Sequence, residues 1–131
     1  MGSKRILLAE DEPNIVAPLQ YLLNRAGFDV DVHEDGHAAL QAALEDPPDV
    51  MVLDVMLPGI DGFEILSRLR NDQRSRNLPV LMLTAKGQRE DRERALKTGA
   101  NLFITKPFAN AELIAAVEQL VHDAQPDQAH G

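Results

Sequence analysis

The sequence predicts an α/β fold, an open, doubly wound, five-stranded parallel sheet in the order 2-1-3-4-5 with five helices. Three observations carry the prediction. Short apolar runs of about 4–8 residues alternate with longer stretches of helical period, the length difference that separates strand from helix. Three of the runs are almost continuously apolar, as strands covered by helices on both faces are. The connections are a few residues long, and short right-handed βα crossovers lead to a single open sheet.

The elements follow in order. Strand one is read at 5–9, Arg5-Ile-Leu-Leu-Ala9, before a helix at 13–26. Pro13 suits the first turn of that helix. Pro18 lies a turn further in and cannot donate to the carbonyl of Asn14, which predicts a bend or a short irregular start. Strand two, at 28–32, alternates Val30 and Val32 with Asp29 and Asp31, a pattern for the sheet edge. A helix at 36–45 leads to strand three at 50–54, and a helix at 61–71 to strand four at 80–84. The helix at 88–98 has only Ala95 and Leu96 as apolar residues, so few buried contacts should make it the loosest. Strand five is read at 101–105. The last helix, at 110–123, places Leu113, Ile114, Val117, Leu120 and Val121 on one face.

The chain has 131 residues, 44% of them hydrophobic and 26% charged, the composition of one globular domain. No run approaches the roughly 18 apolar residues of a membrane span, and no signal-peptide pattern opens the chain, so a cytoplasmic protein is expected. With no cysteine, any chemistry uses oxygen and nitrogen. The net charge is −8, and residues 1–66 carry 3 basic against 13 acidic side chains. That balance disfavours direct nucleic-acid binding, which needs cations for phosphates. Nine basic residues lie between Arg68 and Lys97, but Asp72, Glu90, Asp91 and Glu93 interrupt them, giving an ion-paired surface. A domain is expected over 4–122, with a polar tail or linker over 123–131.

Open α/β sheets bind ligands at the carboxyl ends of their strands. Strand one delivers Glu10 and Asp11 there, strand three Asp54, strand four Thr84 and strand five Lys106. Singly, each has a plain structural reading as a helix cap, turn residue or surface charge. Together they converge from adjacent strands. Carboxylates about 5 Å apart repel by roughly 3 kcal/mol per pair at an effective dielectric near 20. A divalent cation resolves that repulsion, and an all-oxygen donor set suits Mg²⁺ rather than zinc. A lysine and a threonine beside it complete a set able to stabilise a phosphoryl group in transfer.

On these motifs the chain resembles the receiver domain of two-component response regulators, with its flavodoxin-like fold. The matching segments are Ala9-Glu-Asp-Glu12, Leu53-Asp-Val-Met-Leu-Pro-Gly-Ile-Asp-Gly62, Leu83-Thr-Ala85 and Lys106-Pro-Phe108, at four successive strand ends. The resemblance implies a phosphorelay protein, not an enzyme with turnover, although it contributes to its own phosphorylation and dephosphorylation. Asp54 becomes the acceptor of a phosphoryl group from a histidine kinase or histidine phosphotransfer protein. Mg²⁺ is bound by Asp11, Asp54 and the backbone carbonyl of Met56, with Glu10 acting through water. Lys106 and Thr84 contact phosphoryl oxygens, and a cis Lys106-Pro107 peptide aims the ammonium into the site. Pro58 and Gly62 are turn and helix-entry residues. Thr84 and Phe103 form the switch, which alters the face of helix four, strand five and helix five for an effector protein or attached output domain. Met56 and Lys86 flank the approach of water and set the lifetime of the phosphoryl group.

Three rivals fit less well. A flavodoxin-like FMN protein needs a phosphate-cradling first loop, and Glu10-Asp-Glu-Pro13 repels phosphate. A haloacid-dehalogenase-type phosphatase needs an acid two positions after its aspartate, where Met56 stands. A degenerate, unphosphorylated interaction module would not need the intact Glu10, Asp11, Asp54, Thr84 and Lys106 set. Receivers of winged-helix DNA-binding regulators dimerise through charged residues where this chain has Asn101-Leu102 and Ala115-Ala116-Val117. A monomer or a phosphorylation-dependent dimer is expected.

Overall fold

The computed structural model describes residues 3–84 and 89–124, apart from the Arg89 side chain. Its elements alternate as β1 (Arg5–Ala9), α1 (Pro13–Arg25), β2 (Asp29–His33), α2 (Gly36–Glu45), β3 (Val50–Asp54), α3 (Gly62–Arg70), β4 (Val80–Thr84), α4 (Arg89–Thr98), β5 (Leu102–Thr105) and α5 (Asn110–Asp123). All strand pairs are parallel, in the order β2-β1-β3-β4-β5.

Strand alternation sorts the interior into two clusters. Ile6, Leu8, Val50, Val52, Leu81 and Leu83 face α1 and α5, meeting Leu19, Leu23, Leu113 and Val117. Leu7, Ala9, Met51, Leu53, Val80 and Met82 face α2, α3 and α4, meeting Leu40, Ile65, Leu66, Leu69 and Ala95. Each buried Leu or Ile contributes about 1.5–3 kcal/mol, so both faces favour this sheet. At the edge, Asp29 and Asp31 of β2 are exposed while Val30 and Val32 are half-buried.

One local expectation changes. α1 runs unbroken from Pro13 through Pro18. Pro18 forfeits only its own donation, and the start is secured by the Glu12 carbonyl, which accepts from the Ile15 and Val16 N–H groups at 2.9 Å each. In α4 Leu96 is 52% exposed, so among the described side chains of this helix Ala95 alone is fully buried. Arginines attach this helix to the body. The Arg92 guanidinium lies 4.6 Å from the ring centre of Phe103, and that of Arg94 lies 4.2 Å from that of Phe63.

The far end of α4 is held differently. Arg70, half-buried at the end of α3, donates through Nε to the Gly99 carbonyl at 2.9 Å and through Nη2 to Asn101 Oδ1 at 3.0 Å. Its Nη1 donates to the carbonyls of Ser75 and Arg76 at 3.3 and 3.2 Å. Gly99 has φ +115, and a Cβ there would sit 3.1 Å from Arg70 Nε, so the left-handed turn needs glycine and admits the guanidinium. Among the described residues, no helix is long and apolar enough to cross a membrane.

Candidate functional site

The carboxyl ends of β1, β3, β4 and β5 deliver the site. Asp54 closes β3, a strand whose five residues are all buried, and is itself 2% exposed. The Met56 N–H donates to its Oδ1 at 3.3 Å, leaving Oδ2 to face Lys106. α3 starts close by because residue 62 is glycine: the Gly62 N–H donates to the Val55 carbonyl at 2.8 Å, and a Cβ there would lie 2.5 Å from the Asp54 carbonyl oxygen. The Asp61 side chain caps that helix by accepting from the Glu64 N–H at 2.9 Å.

Lys106 follows β5 with its N–H donating to the Thr84 carbonyl at 2.8 Å and with a cis peptide to Pro107. Its ammonium lies 3.2 Å from Asp54 Oδ2, 3.1 Å from Glu10 Oε1 and 2.8 Å from Glu12 Oε1. Burial alone would lower its pKa, but the hydrogen bond to Glu12 and the charges of Asp54 and Glu10 outweigh it and raise it above that of ordinary lysine. Glu10 is fully buried, and burial followed by the nearby Asp54 carboxylate pushes its carboxyl up to about 7. Glu10 Oε2 accepts from the Glu12 N–H at 3.2 Å, while Oε1 has no hydrogen bond beyond the ionic approach of Lys106.

One oxygen from each of Glu10, Glu12 and Asp54 lies within 4.8 Å of the other two. Asp11 is not in that trio. It lines a cavity of about 560 Å³ with Val55, Met56, Leu57, Asp61 and Arg94. The cause is the extended path after β1: Glu12 has φ −84 and ψ 114, and in extended chain residues 10 and 12 share a side while 11 faces the other. Sequence reasoning had not assigned Glu12 a site role, and this alternation was the signal for it. An enclosed carboxylate oxygen without a hydrogen bond, beside further carboxylates, fits a hard, oxygen-seeking cation such as Mg²⁺.

Thr84 is 1% exposed, and among the described residues its Oγ1 makes only long contacts, 3.5 Å to the Ile104 carbonyl and 3.4 Å to Thr105 Oγ1. Phe103 is half-buried under Arg92. Met56 is 72% exposed beside Asp54, and Lys86 lies outside the described residues, as does the polar tail beyond Ala124.

Known proteins resemble this chain in sequence and fold. The family of response regulator receiver domains matches residues 6–118. The alkaline phosphatase synthesis transcriptional regulatory protein PhoP of Bacillus subtilis is 43% identical over 123 residues, covering 94% of this chain and 50% of that protein. The phosphate regulon transcriptional regulatory protein PhoB of Escherichia coli is 40% identical over 124 residues, covering 95% and 54%. The chain thus spans about half the length of these relatives. The crystal structure of the receiver domain of sensor histidine kinase PA1611 from Pseudomonas aeruginosa, with a magnesium ion coordinated in its active site cleft, superposes with a TM-score of 0.84 at 30% identity, covering 92% of this chain and 99% of that one. With the sheet order, the strand-end carboxylates and the Lys106 ammonium all in agreement, this chain belongs to the response regulator receiver domain family and is a signalling domain of two-component systems.

Proposed function

We propose that this receiver takes a phosphoryl group from the phosphohistidine of a cytoplasmic histidine kinase or histidine phosphotransfer protein onto Asp54. The carrying observation is the Lys106 ammonium, held 3.2 Å from a nearly enclosed Asp54 Oδ2. A carboxylate oxygen of Asp54 attacks phosphorus, the P–N bond breaks, and its electron pair leaves with the imidazole. Lys106 exchanges its carboxylate partners for a phosphoryl oxygen, and the Thr84 hydroxyl gives up its long contacts to donate to another. Asp11 and Met56 line one cavity beside Asp54, and Asp11, Asp54 and the Met56 carbonyl are the groups that would hold Mg²⁺ there, with Glu10 acting through water. When bound, the ion neutralises charge on the transferring group.

Phosphorylation adds up to about two negative charges. Movement of Thr84 vacates space for Phe103, and α4 shifts with it, changing the face of α4, β5 and α5 presented to an effector protein or an output domain of the same polypeptide. Exposed Met56 is a poor orienter of water, which favours slow self-hydrolysis and resetting by a partner. The test is intact-mass measurement after incubation with Mg²⁺ and acetyl phosphate. The wild type should gain about 80 Da and Asp54→Asn should not. An equal adduct on the variant overturns the assignment.

A further inference from the structure

The shortest ion pair at the site joins Lys106 to a residue given no part above in phosphoryl transfer. Glu12 Oε1 stands 2.8 Å from Lys106 Nζ, closer than Glu10 or Asp54. The other two carboxylates are enclosed, whereas the Glu12 side chain is 56% exposed. It borders a cavity of about 530 Å³ shared with Asn14, Lys106, Phe108 and Asn110. Helix formation does not explain it. Glu12 precedes α1, but its side chain makes no capping hydrogen bond, and its backbone carbonyl alone receives the first turn. Stability does not explain it either, since a half-exposed ion pair contributes about 1 kcal/mol or less.

We propose that Glu12 is a specificity-determining residue that discriminates between phosphodonors by charge, favouring donors with a cationic leaving nitrogen over anionic acyl phosphates. The inference rests on the proposed phosphorylation of Asp54. Lys106 links Glu12 to Asp54, at 2.8 and 3.2 Å, so the phosphoryl group of a donor must draw the ammonium away from Glu12. The negative charge of Glu12 opposes a dianionic acyl phosphate more than a zwitterion of net charge about −1. It also attracts a protonated nitrogen on the departing group. Glu12 acts through Lys106 and through its field, so it is a positioning residue and not a catalytic one.

The experiment compares two small donors, acetyl phosphate and phosphoramidate. In the first, the P–O bond breaks and acetate leaves; in the second, the P–N bond breaks and nitrogen leaves with the electron pair as ammonia. Phosphorylation rates of wild type, Glu12→Gln and Glu12→Asp are measured with Mg²⁺ at low salt and at high salt. The ratio of the acetyl phosphate rate to the phosphoramidate rate should rise about fivefold in Glu12→Gln at low salt. Much of that difference should vanish near 0.5 M salt, where charges are screened within about 4 Å. Glu12→Asp, which keeps the charge, should return the ratio to within about twofold of wild type. A merely structural role would change both donors alike and would not respond to salt.

A Glu12→Gln ratio within about twofold of wild type at low salt overturns the proposal. Should Glu12→Gln fail to fold, salt must still raise the wild-type ratio, and a wild-type ratio indifferent to salt overturns it as well. Asp54→Asn separates the two readings. If wild type gains no adduct from either donor, or the variant gains the same one, the Asp54 assignment falls and takes this inference with it. If Asp54 is labelled normally and the ratio ignores Glu12, the inference falls alone.

Discussion

Glu10 is enclosed with one oxygen unpartnered by hydrogen bonds, and its carboxyl stands at about 7 against the ordinary 4.5. An acid raised on folding binds more protons folded than unfolded between those values. Stability therefore falls as pH rises from 4.5 towards about 7, and the deficit is complete above that range. Glu10→Gln removes the charge, so the metal-free variant should be more stable than wild type by about 1–3 kcal/mol near pH 8 and no more stable near pH 4. Denaturant melts of both proteins in the presence of a chelator check this, and a gain of equal size at both ends of the range would assign it to packing. The strand-end residues Asp54, Thr84 and Lys106 were legible because strand ends mark the ligand edge of such sheets. The facing of Glu12 and Asp11 was less so: both are acids in one short run, and only the extended path between β1 and α1 decides which meets Lys106.

At the scale of elements, apolar runs announced the strands because helices cover both faces of β1, β3 and β4. Continuity of α1 through Pro18 was not announced, since a proline early in a helix forfeits one donation without halting the turns beyond it. In α4 the small apolar content was plain, but the pairing of Arg92 with Phe103 and Arg94 with Phe63 was not. Those partners are brought together only by the tertiary fold. Each guanidinium-ring contact contributes about 0.5–1 kcal/mol at an exposed site. In wild type the α4 amides should exchange with solvent faster than those of α2 or α3, whose apolar faces are buried. Replacing both Arg92 and Arg94 by alanine should accelerate α4 exchange further, about tenfold, with the rest of the sheet unchanged. Hydrogen-exchange mass spectrometry reads both comparisons. An unaltered α4 in the double variant would mean that Ala95 and the backbone suffice to hold it.

For the molecule as a whole, the net charge of −8 is concentrated in residues 1–66, which supply Glu10, Glu12 and Asp54. Self-repulsion of that kind is relieved by counterions. Thermal stability should rise with sodium chloride, and rise more with magnesium chloride at equal ionic strength. The surplus due to magnesium should be lost in Asp54→Asn, as paired melting curves will establish; an undiminished surplus would place the ion elsewhere. The sheet order was legible from the sequence of units, whereas the Arg70 brace was not, because Gly99 and Asn101 come within its reach only once α3 and α4 lie side by side. That brace makes α4 a lever with its fulcrum at Gly99. Ten residues give it an arm of about 15 Å, so a tilt of about 10° carries its first turn nearly 3 Å and its last turn almost nowhere. A protein that grips the Arg89 end of α4 would receive the full stroke, while one that grips Thr98 would receive none.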